Sequence, residues 1–559
     1  MATSPNRSYY RFFIYITLLA TLILLARIGY IIHAHNPQRK NYDDPVVSPQ
    51  VIRGTIYDRN GKILAIQTPY WGVYFHLNAI DDLQLVSEVV SPYVGMSPDQ
   101  IQAQAANYTT YAQIKRKIND DQVEPLRLAL QRTKLQNQVS IQKSMGRSYP
   151  ALFHASQTIG FTNTDNEGLE GIEYTQQDLL SPYPQVGTDE PTYGQDITLT
   201  LDIDIQYLLD LQLQNIADEH NPDYGIALVL DANNADILGM SSYPWYDPNS
   251  LFRSTEEQKR NHVVNHLYEP GSVFKIFSLA AVMEANQADL LTPFECDGTY
   301  TFDSGNGNKT TINCTEPHGT VDPKTMIQKS CNGAIVHWAL QTDEQEFASI
   351  LDAFGFNSRY DIDLPSQARS HIASPDLWSG RSQATISFGQ ELSTTALHLG
   401  VAATSFTNGG DLLLPHLILR TTSLNADKEN VTLYERERTI QDKVISKEVA
   451  QEMLAYMHSA SESGGTGIKA AVEGISIGVK TGTAQILNPV SNSYEDGTVL
   501  ASTLAIVPIE NPKYIIYIAA GNPKGNTIWG SNIASPAIGE IIKALVSQGK
   551  LISDKSPIR

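Results

Sequence analysis

The sequence predicts an α+β, multi-domain chain. An elongated N-terminal module of short strands and helices precedes a C-terminal domain with an antiparallel sheet and flanking helices, and one transmembrane helix leads the whole. Three observations carry this reading. At about 150 residues per domain, a chain of 559 suggests three or four units. An apolar run of membrane-spanning length lies near the start, and beyond it β-rich arms alternate with helical periodicity without a fixed-period repeat. Hydrophobic residues make up 42% and charged residues 18%, enough apolar surface to exclude global disorder. The formal net charge of −20 comes with no basic stripe, which argues against nucleic acid as a partner.

The elements follow in order. Residues 12–32, after a tail at 1–11, would span about 31 Å as a helix, against a hydrocarbon core of about 30 Å. Arg27 lies close enough to the end of that run to snorkel. His33-Ala34-His35-Asn36 makes a poor cleavage site, so an uncleaved anchor is expected. Arg7 and Arg11 before the span and Arg39 and Lys40 after it leave orientation open.

The N-terminal module is placed at 33–195. Residues 51–65 read as a hairpin around Asn60-Gly61, and residues 80–145 contain small helices, one around 120–130. The Pro- and Gly-bearing stretch 182–194 reads as a connection. A second unit, 196–550, then brings a helix at 202–217 and a hairpin with arms 224–230 and 237–240. It ends in β-rich runs at 474–487, 501–507 and 514–520 and a helix at 535–548, before a tail at 551–559.

Three cysteines exclude a disulfide-dense scaffold and any four-cysteine zinc or iron–sulfur site. Cys296 and Cys314 either form one bridge in an oxidising compartment, contributing about 3 kcal/mol, or remain reduced thiols. His262 and His266 share i, i+4 spacing but lack the following Glu of a zinc pair and read as structural. Gly305-Asn306-Gly307-Asn308 reads as a turn between the two cysteines. A nucleophilic Cys331 would need a His partner that the sequence does not place. No metal site and no cofactor is expected.

The chemistry concentrates at Glu269-Pro270-Gly271-Ser272-Val273-Phe274-Lys275, which opens a mostly apolar run. Ser272 would sit in the first turn of a helix, where free N–H groups favour a developing alkoxide, with Lys275 at i+3 on the same face. A lysine serves as a base only when neutral, which requires desolvation or a second cation nearby. Alone the motif is weak, since about two Ser-x-x-Lys matches arise by chance in a chain this long. Ser330-Cys331-Asn332 and Lys480-Thr481-Gly482-Thr483 follow in order and change that weighing. Lys480 would supply the second cation, Ser330 a hydroxyl bridge, Asn332 an amide for the substrate backbone, and the β-rich run an edge for an extended peptide. Gly482 would let that ligand approach the strand closely.

At these residues the chain resembles the penicilloyl-serine transferase superfamily, and within it the class B penicillin-binding proteins. The likeness extends to Arg53-Gly54-Thr55-Ile56-Tyr57-Asp58-Arg59-Asn60-Gly61 and Gly168-Leu169-Glu170-Gly171-Ile172-Glu173. It also takes in Arg260-Asn261, Asn408-Gly409-Gly410, Trp529-Gly530 and Ala534-Ser535-Pro536. Val479 and Glu391 depart from the pattern, each standing where many members place Gly, which leaves the shape of the cleft wall open.

The resemblance implies a peptidoglycan D,D-transpeptidase. Ser272 would attack the bond between the terminal D-alanines of a stem peptide, with Lys275 as base. Ser330, Asn332 and Lys480 would assist, and Thr481, Gly482 and Thr483 would bind substrate. β-Lactams would trap the same serine. The implied setting is the cytoplasmic membrane, single-pass, with the catalytic domain periplasmic or extracellular. The implied partners are a polytopic membrane glycosyltransferase and division or elongation proteins, division being favoured. The alternatives are an elongation-type enzyme, a carboxypeptidase, or a β-lactam sensor or division scaffold without turnover.

Overall fold

The computed structural model describes residues 51–552 apart from 185–189, 306, 426, 428 and 489–492, together with Thr21, Ala26 and Arg27. The tail expected at 1–11, nearly all of the anchor expected at 12–32 and most of the C-terminal tail lie outside the described residues. No helix among the described residues is long and apolar enough to cross a membrane. Chain contacts divide the molecule into one compact unit of residues 1–50 with 184–192 and another of residues 51–183 with 193–559. All that follows concerns the second.

The expected C-terminal sheet is present and has five strands. Their order is Gly478–Asn488, Ser493–Val507, Tyr514–Gly521, Tyr224–Asp231, Ile237–Tyr243, antiparallel throughout. Alternation along each strand sends side chains to two different cores. Ala227 and Val229 pack under the helices Ile203–His220 and Gly530–Ser547, whereas Ile226, Leu228 and Leu230 face the core that contains Phe274 and Phe277. The sheet is therefore buried on both faces, with helices on either side. Asp202 caps the first of these helices by accepting from Asp204 N.

The N-terminal module folds around strands Ile63–His76, Tyr111–Ile118 and Val139–Ser148, paired antiparallel. Helices Leu83–Val94, Pro98–Ala105 and Asp120–Thr133 pack against them through Val73, Phe75, Val86, Ile101 and Leu126. The hairpin at 51–65 exists, but its loop is longer than the two-residue turn expected from Asn-Gly. Tyr57 pairs with Ile63, and the Asp58 carboxylate accepts from Asn60 N and Lys62 N, each at 2.8 Å, so the side chain organises a five-residue loop.

At the boundary expected near 196, one strand belongs to a sheet shared by both halves of the unit. Asp196–Leu199 runs parallel to Ile56–Tyr57 on one side and antiparallel to Ile418–Leu424 on the other, so one seven-stranded sheet joins both halves of the unit. Beside this junction the two N-terminal segments that carry the resemblance meet. Arg53 Nε lies 2.7 Å from Glu173 Oε2 and Arg147 Nε 2.5 Å from Glu173 Oε1, all three side chains almost fully buried. Arg147 also donates to Gly54 O at 2.7 Å. A Cβ on Gly54 would stand 1.8 Å from Gln195 O, so no larger residue fits where the chain crosses into the second half.

Candidate active site

Three stretches of chain build the site. Ser272 lies in a single 3-10 turn, Gly271–Phe274, that runs directly into the helix Lys275–Ala285. With three residues per turn, i and i+3 eclipse, so Lys275 stands directly beneath Ser272. The turn is set by Gly271 at φ 57°, wedged so tightly that a Cβ would come within 2.8 Å of Ala484 Cβ, with its N–H donating to Gly389 O at 3.0 Å. Phe274 and Phe277 anchor the helix in the core.

Ser330 and Asn332 occupy an elbow between two helices. Ser330 is the left-handed C-cap of Pro323–Lys329, at φ 60°, and Cys331 is the N-cap of Asn332–Ala339. A non-glycine residue in this conformation costs about 1 to 2 kcal/mol, and its partners hold it there. Lys275 Nζ donates to Ser330 O at 2.6 Å, to Ser330 Oγ at 3.1 Å and to Asn332 Oδ1 at 2.5 Å. Lys480 Nζ donates to the same Ser330 Oγ at 2.9 Å and to Thr481 O at 2.8 Å. Ser272 Oγ has no hydrogen-bond partner among the described residues.

Both lysines have no exposed surface. Burial lowers the Lys275 amine to about 8, partly opposed by the Cys331 and Cys314 thiols. Lys480 is pushed well below its ordinary value, first by burial and then by the charge of Lys275. Among the described residues no carboxylate is hydrogen-bonded to either amine. Two ammonium groups on one hydroxyl would repel at short range in a poorly solvated site, which favours a neutral amine on at least one of them.

Lys480, Gly482 and Ala484 alternate onto the face of the strand Gly478–Asn488 that meets the Ser272 turn, and Val479, Thr481 and Thr483 onto the other. Gly482 therefore acts differently from expectation. A Cβ there would meet Val273 Cγ2 and Ser502 Oγ, each at 2.8 Å, so its bareness lets the strand close on the Ser272 turn rather than on a ligand. Thr481 Oγ1 donates to Thr466 Oγ1 at 3.0 Å, and Thr483 Oγ1 accepts from Gly530 N at 3.3 Å. The strand lies at the end of its sheet, with Ser493–Val507 on one side only.

Asn332 also departs from expectation. Its Oδ1 is held by Lys275, and its Nδ2 donates to Asn313 O at 2.7 Å, so the amide is engaged at both ends and one N–H remains for a ligand. Val479, one of the two departures from the family pattern, points away from the cleft into the core. Gly467 makes room for it, since a Cβ there would stand 2.4 Å from Val479 Cγ1. Glu391, the other, takes φ 57°, the conformation that suits Gly. Its N–H donates to Glu269 Oε1 at 2.9 Å, and its carboxylate meets Ser382 Oγ at 2.7 Å and Arg381 Nε at 3.1 Å.

The remaining candidates resolve simply. The His262 ring stacks on Tyr224 at 5.0 Å, and His266 Nε2 lies 3.1 Å from the Tyr224 hydroxyl. Burial lowers the two imidazoles to about 3 and about 4, in keeping with neutral core residues. The strands Thr299–Asp303 and Lys309–Asn313 on either side of the turn expected at 305–308 are paired, and Asn308 N–H donates to Gly305 O at 3.0 Å, while Asn306 lies outside the described residues. Cys296 and Cys314 are not bridged: all three cysteines are free, and the Cys296 and Cys314 sulfurs lie 3.7 Å apart. A group of side chains that could hold a metal ion is present where none was expected. Cys296, Cys314, His318 and Cys331 converge, with all four ligand atoms within 4.8 Å of one another. Counting cysteines hid this, because the fourth member is a histidine that reaches the group only through strand pairing.

A sheet buried under helices on both faces, with Ser-x-x-Lys, Ser-x-Asn and Lys-Thr-Gly meeting at one cleft, is the architecture of the penicilloyl-serine transferase superfamily. The comparisons narrow this. Residues 225–543 match the "Penicillin binding protein transpeptidase domain" and residues 48–189 the "Penicillin-binding Protein dimerisation domain". The chain belongs to the penicillin-binding protein transpeptidases, of class B. It is 28% identical to the probable peptidoglycan D,D-transpeptidase PenA of Neisseria gonorrhoeae over 91% of this chain and 87% of the relative. It is also 28% identical to the stage V sporulation protein D of Bacillus subtilis, over 88% and 77%, and 23% identical to the peptidoglycan D,D-transpeptidase FtsI of Escherichia coli, over 88% and 82%. Among solved structures, penicillin-binding protein 3 of Mycobacterium tuberculosis complexed with aztreonam shares the fold with a TM-score of 0.70. That match is at 22% identity, covering 91% of this chain and 98% of the other.

Proposed function

We propose that the protein is a peptidoglycan D,D-transpeptidase that cross-links stem peptides through a Ser272 acyl-enzyme, is acylated by β-lactams at the same serine, and serves septal wall synthesis. The observation that carries this reading is the convergence of two buried amines on Ser330 Oγ at the foot of the Ser272 turn. The Neisseria and Escherichia relatives, named as peptidoglycan D,D-transpeptidases, support the substrate class.

Ser272 Oγ attacks the carbonyl between the last two D-alanines, and its proton passes to neutral Lys275, with Ser330 Oγ in contact with that amine as a bridge. The backbone N–H groups of Ser272 and Thr483 hold the oxyanion, each worth about 3 kcal/mol. Ser330, held by Lys480, returns a proton to the leaving amine, and D-alanine departs. A side-chain amine of a second stem then attacks the ester, forming the cross-linking amide and restoring the Ser272 hydroxyl. The free edge of Gly478–Asn488, on which Thr481 and Thr483 stand, receives the extended peptide with its terminal carboxylate.

In this reading residues 12–32 anchor the chain once in the cytoplasmic membrane, with the catalytic domain outside. A polytopic glycosyltransferase supplies the glycan, and division proteins place the pair at the septum. Mass spectrometry after exposure to a labelled β-lactam tests the nucleophile: the adduct is expected on Ser272 and absent from Ser272→Ala, and a stable adduct persisting in that variant would refute it. Fluorescent fusions accumulating along the side wall rather than at mid-cell would overturn the septal assignment.

A further inference from the structure

Four metal-binding side chains meet behind the Ser330 elbow. Cys296 ends the strand Phe294–Cys296, which pairs with Gly319–Val321 so that Cys296 lies opposite Gly319. This pairing brings His318 alongside, its Nδ1 3.4 Å from Cys296 Sγ. Cys314 follows the strand Lys309–Asn313, and its sulfur lies 3.7 Å from those of both Cys296 and Cys331. Cys331 itself stands between Ser330 and Asn332.

A disulfide would pair two of these thiols and leave the third and the imidazole without purpose. A tetrahedral ion uses all four. With a Zn–S bond of about 2.3 Å and a Zn–N bond of about 2.0 Å, the edges of the tetrahedron come to about 3.8 Å between sulfurs and about 3.5 Å between sulfur and nitrogen. The observed separations of 3.7, 3.7 and 3.4 Å match three of the six edges, and the other three pairs lie within 4.8 Å, close enough for an ion to draw them in. The surroundings suit thiolates. Gly333 N–H donates to Cys314 Sγ at 3.3 Å, the kind of outer hydrogen bond that orients a ligand. Cys331, at the start of an eight-residue helix, faces its positive end. Cys314-x3-His318 also falls within the spacing that paired zinc ligands use.

We propose that Cys296, Cys314, His318 and Cys331 bind one structural Zn2+ in a closed Cys3His site that fixes the Ser330-Cys331-Asn332 elbow. On binding, three thiols release their protons to solvent and four coordinate bonds form, with no change of oxidation state. Four protein ligands leave no open position, so the ion holds structure and activates no water. The local fold needs such a tie. The ribbon Thr299–Asp303 with Lys309–Asn313 has no buried residue, and its neighbour Phe294–Cys296 with Gly319–Val321 is three residues long. Two-stranded ribbons of this kind are marginal alone. The ion clamps both to the helix that bears Asn332, whose amide already reaches back to Asn313 O.

The test uses the full-length, detergent-solubilised protein. Elemental analysis after gel filtration is expected to find one zinc per chain in the parent, and far less in Cys296→Ser and in His318→Gln. The second variant alters a half-exposed side chain and spares the core. Replacement by Co2+ should give intense near-ultraviolet thiolate-to-cobalt absorption that both variants lose. Chelation should slow acylation by a labelled β-lactam about 10-fold or more, with recovery on adding Zn2+. A parent protein that retains no zinc after dialysis against Zn2+, variants that keep a full equivalent, or an intact mass two hydrogens lighter with two of these cysteines cross-linked would each overturn the proposal. Metal content is read independently of turnover, so a zinc-bearing protein that fails to react with β-lactams would sink the functional reading and leave this one standing.

Discussion

Lys275 and Lys480, 205 positions apart in the chain, place their amines on one hydroxyl: Ser330 Oγ accepts from the first at 3.1 Å and from the second at 2.9 Å. That shared acceptor explains why Ser330 tolerates a left-handed backbone, and it makes the protonation of either amine depend on the other.

The first consequence is a pH profile. Lys275 accepts the Ser272 proton only when neutral, and burial brings its amine down to about 8. Acylation by a labelled β-lactam should therefore climb with pH, bend near 8 and level off above it, since raising pH through the folded value populates the reactive base. A rate that is flat across this range, or that falls as pH rises toward 8, would remove Lys275 from that role.

Removing the shared acceptor should disable the relay while leaving the fold intact. Ser330→Ala keeps a Cβ at the same backbone angles but gives neither amine a hydroxyl. Acylation should fall by about 10²- to 10⁴-fold, with a lower thermal midpoint as both buried amines lose an acceptor, a cost of about 1 to 3 kcal/mol. Stopped-flow acylation beside calorimetry separates the two effects, and an unchanged acylation rate would show that protons do not pass through Ser330.

Gly482→Ala tests how closely the strand must approach the Ser272 turn. The new methyl would stand 2.8 Å from Val273 Cγ2 and Ser502 Oγ, and 3.2 Å from Val273 N, with the backbone nitrogen unable to yield cheaply. Overpacking of this kind costs about 1 to 3 kcal/mol. The strand should also move away from Ser272, so acylation slows together with the loss of urea resistance. A variant as stable and as fast as the parent would show that the gap closes without strain.

How far these features were legible follows the range of each interaction. Hydrophobic period and turn residues placed the helix beginning at Ile203, the hairpin from Tyr224 to Tyr243 and the three late strands, because those signals are local. The strand Ser493–Val507 was visible only from Ala501 onward, since its first part, Ser-Tyr-Glu-Asp-Gly-Thr, is polar: Ser493 and Tyr494 pair with Asn488 and Leu487, the register then shifts, and Gly497 takes φ 85° before pairing resumes at Val499. The sheet uniting Ile56–Tyr57, Asp196–Leu199 and Ile418–Leu424 was invisible, because its partners lie more than a hundred residues apart. At the site, motif order identified which residues gather, but not which way they face. The strand's alternation turns Gly482 toward Val273, and Lys275 holds the oxygen of the Asn332 amide expected to serve the substrate backbone. His318 escaped notice because only the Cys296–Gly319 register brings it to the sulfurs.

Distance from the chemistry gives a contrasting case. Glu173 lies between the Arg53 and Arg147 guanidiniums without solvent exposure, and burial lowers Arg53 despite the attraction of that carboxylate. Glu173→Gln would leave two buried cations with no counter-charge, a loss of about 3 kcal/mol. Urea titration should show it, while molecules that remain folded acylate at the parental rate. A variant that unfolds at the parental midpoint would mean that the hydrogen bonds, rather than the charge, hold the junction.

Glu391 shows how a departure from a glycine position can be balanced. At φ 57° its backbone is strained, yet its N–H fixes Glu269, three residues before Ser272, and its carboxylate is tied to Ser382 and Arg381. Replacing it with Ala keeps the strain and discards the carboxylate contacts. Replacing it with Gly discards the same contacts but relieves the backbone. Both retain the N–H that reaches Glu269. Glu391→Gly should therefore exceed Glu391→Ala in stability by about 1 kcal/mol, and both should acylate at similar rates because Glu269 stays in place. If the two unfold together, the left-handed angle costs nothing at this position. If both lose acylation, the Glu391 side chain rather than its backbone positions the entry to the Ser272 turn.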